Sequence, residues 1–461
     1  MDLRTKDIKI SNENPFEHDL LKRDKYVNNL TQIVKNTKGG FTLSINADWG
    51  YGKTTFVKMW EASLQNEGYK TIYFNAWETD FVADPMMALI DGLREGFDSK
   101  DLPQEKLQLS QAVWKAAAKL TQLVPQFKVI GEVAEIFQNG INACLEDENK
   151  LQEHHSYHKL ILDFKEQLSN FAKEISSDKQ LIIFVDELDR CRPDYAVQML
   201  ERIKHFFEIE NIIFVISVDK TILCKSIKAY YGGIEVDTEA YLRRFIDLEF
   251  DLPEFDISDF IDAQFEAKDL AEIFTNYWDH IQKHYNGEDR AVTLRKALLD
   301  CLKAENRSLR DIEKYFNRLG VIISSKDLTH RVLDLTCYVL YLHMFHRDIY
   351  NHLRIADLEV PKMWDTIKTQ IASITYDSGS ESYRRYMGMV IGSLAAYIDL
   401  VDRRNNYRHK LIEQDPKMEW FPADYLDWLK SEISNRKGDF LTHLFSHIEL
   451  LQETFNWEKA E

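Results

Sequence analysis

Phe41-Thr-Leu-Ser-Ile-Asn46-Ala47-Asp48-Trp49-Gly50-Tyr51-Gly52-Lys53-Thr54-Thr55 reads as a buried strand, a tight loop and the start of a helix. The mostly apolar run at its front suits a strand covered on both faces. Gly50 and Gly52 let the backbone turn so that successive N–H groups can surround a polyphosphate. A helix starting near Lys53 would add the positive end of its dipole. The Lys53 ammonium would then reach the β- and γ-phosphates, and the Thr54 hydroxyl would ligate Mg²⁺. On this reading Asp48, Trp49, Gly50, Tyr51, Gly52, Lys53, Thr54 and Thr55 line a bound nucleotide. Ala47 stands where the G-x-x-x-x-G-K-T pattern has its first glycine. Either that position tolerates a side chain or the loop is slightly altered. The duller alternative, a Gly-Lys-Thr triplet on a surface turn, leaves the flanking strand and helix patterns unexplained.

A second stretch supplies the complementary chemistry. Leu181-Ile-Ile-Phe-Val185-Asp186-Glu187 is an apolar strand ending in two acids. Open parallel sheets place ligands at the carboxyl ends of their strands, where Asp186 would hold Mg²⁺ and Glu187 would polarise an attacking water. Acids after a strand also cap helices, a role open to Asp189 and Asp194. The order of the two motifs suggests that they sit on neighbouring strands.

Further β-rich runs fall at 71–74, Ile212–Val218 and 245–252, with helical patterns between them. After Pro193, Ala196, Met199, Leu200, Ile203, Phe206 and Phe207 form one apolar stripe. This alternation predicts an α/β fold, a three-layer α/β/α parallel sheet. The expected layout is a nucleotide domain over 1–255 with a helical insertion at about 97–178, a helical lid over 256–325 and a C-terminal helical domain over 326–461. The 461 residues carry 58 basic and 76 acidic side chains, a net charge of −18 that disfavours generic adhesion to nucleic acid or anionic membranes. Five scattered cysteines without CxxC pairing fit free thiols in a reducing compartment better than a disulfide or zinc framework. Residues 1–10 hold no apolar segment, and the longest apolar candidate, 111–145, is broken by Lys115, Lys119, Lys128, Glu132 and Glu135. A cytoplasmic protein without a membrane span is therefore expected.

The set Ala47-Asp-Trp-Gly-Tyr-Gly-Lys-Thr54, Phe74-Asn-Ala-Trp77-Glu and Asp186-Glu-Leu-Asp-Arg-Cys191 resembles the KAP family of P-loop NTPases. The segment Tyr241-Leu-Arg-Arg-Phe-Ile-Asp-Leu-Glu-Phe-Asp-Leu-Pro253 adds to the likeness, which covers about residues 15–325. Ala47 and Glu187 depart from the family pattern, which has Gly and commonly a second Asp there; Glu187 makes the site look like that of an AAA+ ATPase. The resemblance implies ATP and Mg²⁺ as cofactors, assembly into a homo-oligomer and, for bacterial members, a setting in phage exclusion. It also suggests Asp219 as a γ-phosphate sensor, although an N-cap is an equal reading. Arg243 and Arg244 would reach a neighbouring subunit's nucleotide or be solvated helix-ending residues. Arg190 would make a similar contact or pair with Asp189 or Asp186. Arg310, opening a helix through the Ser308–Asp311 capping box, would be a lid sensor. Trp77 reads as a packing residue.

The C-terminal region resembles nothing identifiable. Its basic run at 403–410 reads as a solvated loop more readily than as a nucleic-acid contact. Its tryptophans read as core or interface, and His343, His346 and His352 lack carboxylates at metal spacing. Three functions remain in view: an ATPase whose turnover drives or resets assembly, a nucleotide-gated scaffold that recruits an effector protein, and a nucleic-acid translocase, against which the acidic charge and the absence of helicase motifs weigh.

Overall fold

Five parallel strands build the sheet: β1 (Phe41–Asn46), β2 (Lys70–Asn75), β3 (Leu181–Asp186), β4 (Ile212–Val218) and β5 (Leu248–Asp251), in the spatial order β2-β3-β4-β1-β5. The structure, a computed structural model, describes residues 8–97, 111–113, 115–117, 148–176, 179–204, 209–233, 236–267, 270, 272–275, 302, 307–324, 333–348 and 350–351. Much of the 97–178 insertion and nearly all of 326–461 lie outside them. So do Phe206, Phe207, Cys144, Cys301, His352, the basic run at 403–410, and Trp364, Trp420, Trp428 and Trp457.

Every residue of β3 and β4 is buried, as their unbroken apolar runs require. Alternation then divides the side chains between two cores. Ile182, Phe184, Ile213 and Val215 join Leu43 and Ile45 against α1 (Asp24–Asn36) and α2 (Lys53–Asn66). Ile183, Val185, Phe214 and Ile216 face the opposite core, which takes in α3 (Pro85–Phe97), α4 (Glu148–Ser176), α5 (Pro193–Ile203) and α6 (Lys220–Tyr230). Trp60 of α2 is fully buried; its ring meets Phe184 edge-on at 5.5 Å and its indole N–H donates to Thr31 at 3.0 Å, so the polar atom is satisfied inside the core.

Helix starts follow local chemistry. Pro193 opens α5, where a missing N–H costs nothing, and Ala196, Met199, Leu200 and Ile203 bury the expected stripe. Asp219 caps α6, and Asp237 caps α7 (Thr238–Leu242).

Two sequence expectations need correction. The loop-bearing strand β1 and the acid-ending strand β3 are not neighbours, because β4 lies hydrogen-bonded between them. The last strand is also shorter than 245–252. Phe245 and Ile246 are buried in the turn after α7, and pairing with β1 begins only after the Asp247 carboxylate has accepted the Thr42 N–H at 2.8 Å.

The chain divides into two compact units, one spanning Asp7–Glu254 and the other beginning at Phe255. Within the second, α8 (Ser258–Ala267) meets α9 (Leu309–Ser324) through Phe265 and Phe316, 4.9 Å apart. The Tyr315 hydroxyl donates to the Cys337 carbonyl of α10 (Leu333–Phe345) at 2.9 Å. Among the described residues no helix is long and apolar enough to cross a membrane.

Candidate nucleotide site

The loop after β1 curls as its glycines predict. Gly50 and Gly52 have φ of 84° and 77°, whereas Ala47 keeps a negative φ and donates its N–H to the Val218 carbonyl at 3.3 Å. Ala47 therefore continues strand-like pairing, and a Cβ there is no obstacle. The turn is made further along the loop.

Three elements hold the loop in place. Arg23, at the start of α1 and almost wholly buried, donates to the carbonyls of Tyr51 at 2.8 Å and Gly52 at 3.3 Å. Asp219, at the end of β4, accepts the Trp49 N–H at 3.1 Å on one oxygen and the Ile222 N–H at 3.1 Å on the other. It is thus the α6 cap and a strut to the loop at once. Asn46 accepts the Lys220 N–H at 2.9 Å, tying the same two strand ends together. Lys53 lies back along the loop, its ammonium donating to the Ala47 carbonyl at 2.6 Å and to that of Asp48 at 3.2 Å. Burial pushes this ammonium's pKa down, opposed by Asp189, Asp219 and Asp186.

The acids at the end of β3 lie close to this lysine. Asp186 is buried; it accepts the Tyr73 hydroxyl at 2.9 Å and the Glu187 N–H at 2.9 Å. Burial and then the adjacent Asp186 carboxylate raise the Tyr73 pKa, so this phenol remains a donor. Glu187 adopts a left-handed φ of 62°, a conformation that costs a non-glycine residue energy and is common where function holds it in place. Its side chain accepts from Asn75 Nδ2 at 3.2 Å and pairs with Arg190 at 2.7 Å. Burial pushes the Glu187 carboxyl up, and Arg190 opposes that rise. Asp189 is also buried, and its Oδ1 has no hydrogen-bond partner among the described residues.

Set against the expectations, the first unit brings together Lys53, Asp186, Glu187 and Asp219. Arg190 pairs with Glu187, not with Asp189 or Asp186. Trp77, expected as a packing residue, is half exposed, in a short 3₁₀ turn (Trp77–Thr79) after β2. Arg243 and Arg244 are exposed after α7, outside this buried cluster, with Arg243 3.9 Å from Glu239. Arg310 belongs to the second unit, exposed in the first turn of α9, whose cap Ser308 accepts the Asp311 N–H at 3.2 Å. His343 packs on Tyr350 and His346 on Tyr341. Among the described residues, no three His, Cys, Asp or Glu side chains group as a metal site. A Mg²⁺ carried largely by phosphate oxygens, water and one carboxylate needs no such cluster.

Sequence reasoning missed three members of the site. Asn75 carried a signal in its signature triplet, and Asp189 in its place after the two acids. Arg23 had none, because its partners lie 28 and 29 residues away.

The KAP family P-loop domain matches residues 23–325. A 70-residue segment is 40% identical to an uncharacterized protein of Methanocaldococcus jannaschii, covering 15% of this chain and 34% of that one, so the match spans about a third of the relative's length. Similar solved structures include Drosophila ORC bound to DNA, with a TM-score of 0.36, 12% identity, and coverage of 95% of this chain and 87% of that one. The Aeropyrum pernix ORC2 protein, in ADPNP-ADP complexes, has a TM-score of 0.30 and 12% identity over 79% of this chain and 84% of its own. The family match extends over well more than half of the chain and begins at Arg23, the residue that fastens the glycine loop: this chain belongs to the KAP family of P-loop NTPases.

Proposed function

We propose that the chain binds ATP with Mg²⁺ on the Gly50–Gly52 loop and hydrolyses it. The observation that carries this reading is the meeting of Lys53, Asp186 and Glu187 at the carboxyl ends of β1 and β3, beneath a loop with two left-handed glycines. The loop amides and Lys53 would receive the phosphates, and Glu187, with its carboxyl pushed up by burial, would take a proton from the attacking water.

The residues also fit a divalent cation. Four carboxylates, Asp186, Glu187, Asp189 and Asp219, accompany three cations, Lys53, Arg190 and the loop-bound Arg23, and one buried Asp189 oxygen has no partner among the described residues. That surplus of acid disfavours a bare polyphosphate. Thr54 and Asp186 would hold Mg²⁺, which when bound offsets negative charge on the phosphates.

The finer reading is a homo-oligomeric ATPase. Arg243 or Arg244 would complete a neighbour's site, residues 256–325 would act as a lid carrying Arg310, and Asp219 would report nucleotide state through the loop. Phage defence rests on the family resemblance alone. Both arginines are exposed, which fits contact in trans and equally fits solvated residues ending α7.

Lys53→Ala is expected to abolish ATP binding in a folded protein, whereas Glu187→Gln should bind ATP but hydrolyse it roughly 10²-fold more slowly or worse. Calorimetric titration and phosphate release separate the two effects. Unchanged affinity in the first variant removes the phosphate assignment, and an unchanged rate in the second removes the base.

A further inference from the structure

Glu187 is held from two sides, and one of its holders is itself held. Arg190 lies in the 3₁₀ turn (Leu188–Arg190) after β3 and places Nη1 2.7 Å from Glu187 Oε1. Its guanidinium carbon lies 5.9 Å from the Trp49 ring centroid and 5.5 Å from that of Trp77. Both distances fall within the range over which an aromatic face attracts a cation. Trp49 is 56% and Trp77 50% exposed, so both indoles meet the guanidinium at the rim of the site and not within a core. Three loops thus converge on one side chain: the glycine loop after β1, the turn after β2 and the turn after β3.

We propose that Arg190 is a positioning residue that aims Glu187, and that its packing on Trp49 and Trp77 ties this aim to the state of the glycine loop; the inference rests on reading Glu187 as the base. The carboxylate has two oxygens, and Asn75 at 3.2 Å engages the one that Arg190 leaves. With both engaged, the plane of the carboxylate is fixed while each oxygen keeps a lone pair for water. The left-handed backbone at Glu187 sets where the side chain starts, and the ion pair sets where it ends. Arginine suits this post and lysine does not. A planar guanidinium can meet aromatic faces while donating in its own plane, whereas an ammonium offers charge without that geometry. Because Trp49 is part of the loop that would clasp the phosphates, any shift of the loop on binding moves a face against which Arg190 rests.

The test uses the full chain with Arg190→Ala, Arg190→Lys, Trp77→Leu, Trp77→Phe and the double variant Glu187→Gln/Arg190→Ala. Arg190→Ala should lower kcat about ten-fold or more, the scale of a misaimed catalytic group, with KM and ATP affinity within about two-fold of wild type. Arg190→Lys should recover little. Trp77→Leu should reproduce part of the loss, and Trp77→Phe, which keeps an aromatic face, should restore it. The double variant should turn over no more slowly than Glu187→Gln alone, since a residue acting through Glu187 has nothing left to aim. Multiplying losses in the double variant, or a loss in affinity matching the loss in kcat, would overturn the proposal. If Glu187→Gln retains the wild-type rate, or wild type binds ATP without turnover, the reading of Glu187 as base fails separately. Indole emission then decides the link to the loop: a non-hydrolysable ATP analogue should change it in wild type and much less in Arg190→Ala. Equal changes in both proteins would end the proposal.

Discussion

Replacing Arg23 by methionine should cost the fold little and nucleotide binding much. The two effects can be weighed from the structure. Arg23 is 3% exposed, and burial pushes its guanidinium down to about 10 despite the opposing influence of Asp19 and Tyr26. A fall of that size from the ordinary arginine value corresponds to roughly 3 kcal/mol against the charged form. At neutral pH the group nonetheless remains protonated, so the folded state bears this cost. Against it stand two hydrogen bonds, to the Tyr51 carbonyl at 2.8 Å and the Gly52 carbonyl at 3.3 Å. Taking the Arg23 donor from the Tyr51 carbonyl costs about 1–3 kcal/mol, whereas the Gly52 carbonyl keeps the Phe56 N–H at 3.0 Å and loses only about 1 kcal/mol. Methionine removes the desolvation cost along with the bonds, so the net change in stability should stay within about 1 kcal/mol of zero. Binding has no such compensation. Arg23 holds the loop carbonyls outward, which keeps the following amides turned toward a phosphate. Loss of that alignment should weaken ATP binding about ten-fold or more, the scale of one well-placed hydrogen bond to a charged group. Urea unfolding gives the first quantity and calorimetric titration the second. A folded Arg23→Met protein with ATP affinity within two-fold of wild type would refute the argument, as would a loss of stability well above about 1 kcal/mol with affinity intact.

Two other groups give cleaner tests of burial alone. Burial raises the Glu61 carboxyl above its unfolded value, with the Thr71 hydroxyl bond at 3.0 Å opposing. The ionised form is thus disfavoured in the folded state, and Glu61→Gln should raise the melting temperature at pH 7; the gain should fade as pH falls below about 4.3, where the acid is neutral in both states, and a gain that persists there would refute this cause. Burial and neighbouring acids push the Cys191 thiol up to about 12, so iodoacetamide at pH 8 should label the half-buried Cys224 well before Cys191, with peptide mass mapping as the readout and equal labelling as the refuting result.

What the sequence conveyed was local in range. A continuous apolar run followed by spaced glycines constrains its own backbone, so β1, the loop and the start of α2 could be placed within a residue. The same holds for β3 and its two acids. Strand order is not local: nothing in β4 itself says that it inserts between β1 and β3, and the expectation of adjacent strands failed there. Partner choice at Arg190 failed for a related reason. Sequence proximity offered Asp189 and Asp186, but the left-handed turn at Glu187 presents that residue's carboxylate to the guanidinium instead. Arg23 sits in a charged run, Lys22-Arg23-Asp24-Lys25, with nothing local to mark it as buried, and only the folded chain shows it against the loop.

The missing first glycine of the loop follows from how the loop is held. A phosphate nest needs its amides turned inward, which requires that its carbonyls be satisfied on the outside. Here Arg23 takes the carbonyls of Tyr51 and Gly52, and Lys53 takes those of Ala47 and Asp48. Asp219 takes the Trp49 amide, which fixes the loop to the end of β4. With anchors at both ends, the reversal of the chain is confined to Gly50 and Gly52, the two positions with left-handed φ. Ala47 lies before the first anchored turn and extends the β1–β4 pairing by one bond to Val218. A glycine there would add conformational freedom to the unfolded chain without serving a turn, at a cost of roughly 0.5–1 kcal/mol. Alanine at position 47 is therefore compatible with a working phosphate loop, and the demand for glycine falls on positions 50 and 52.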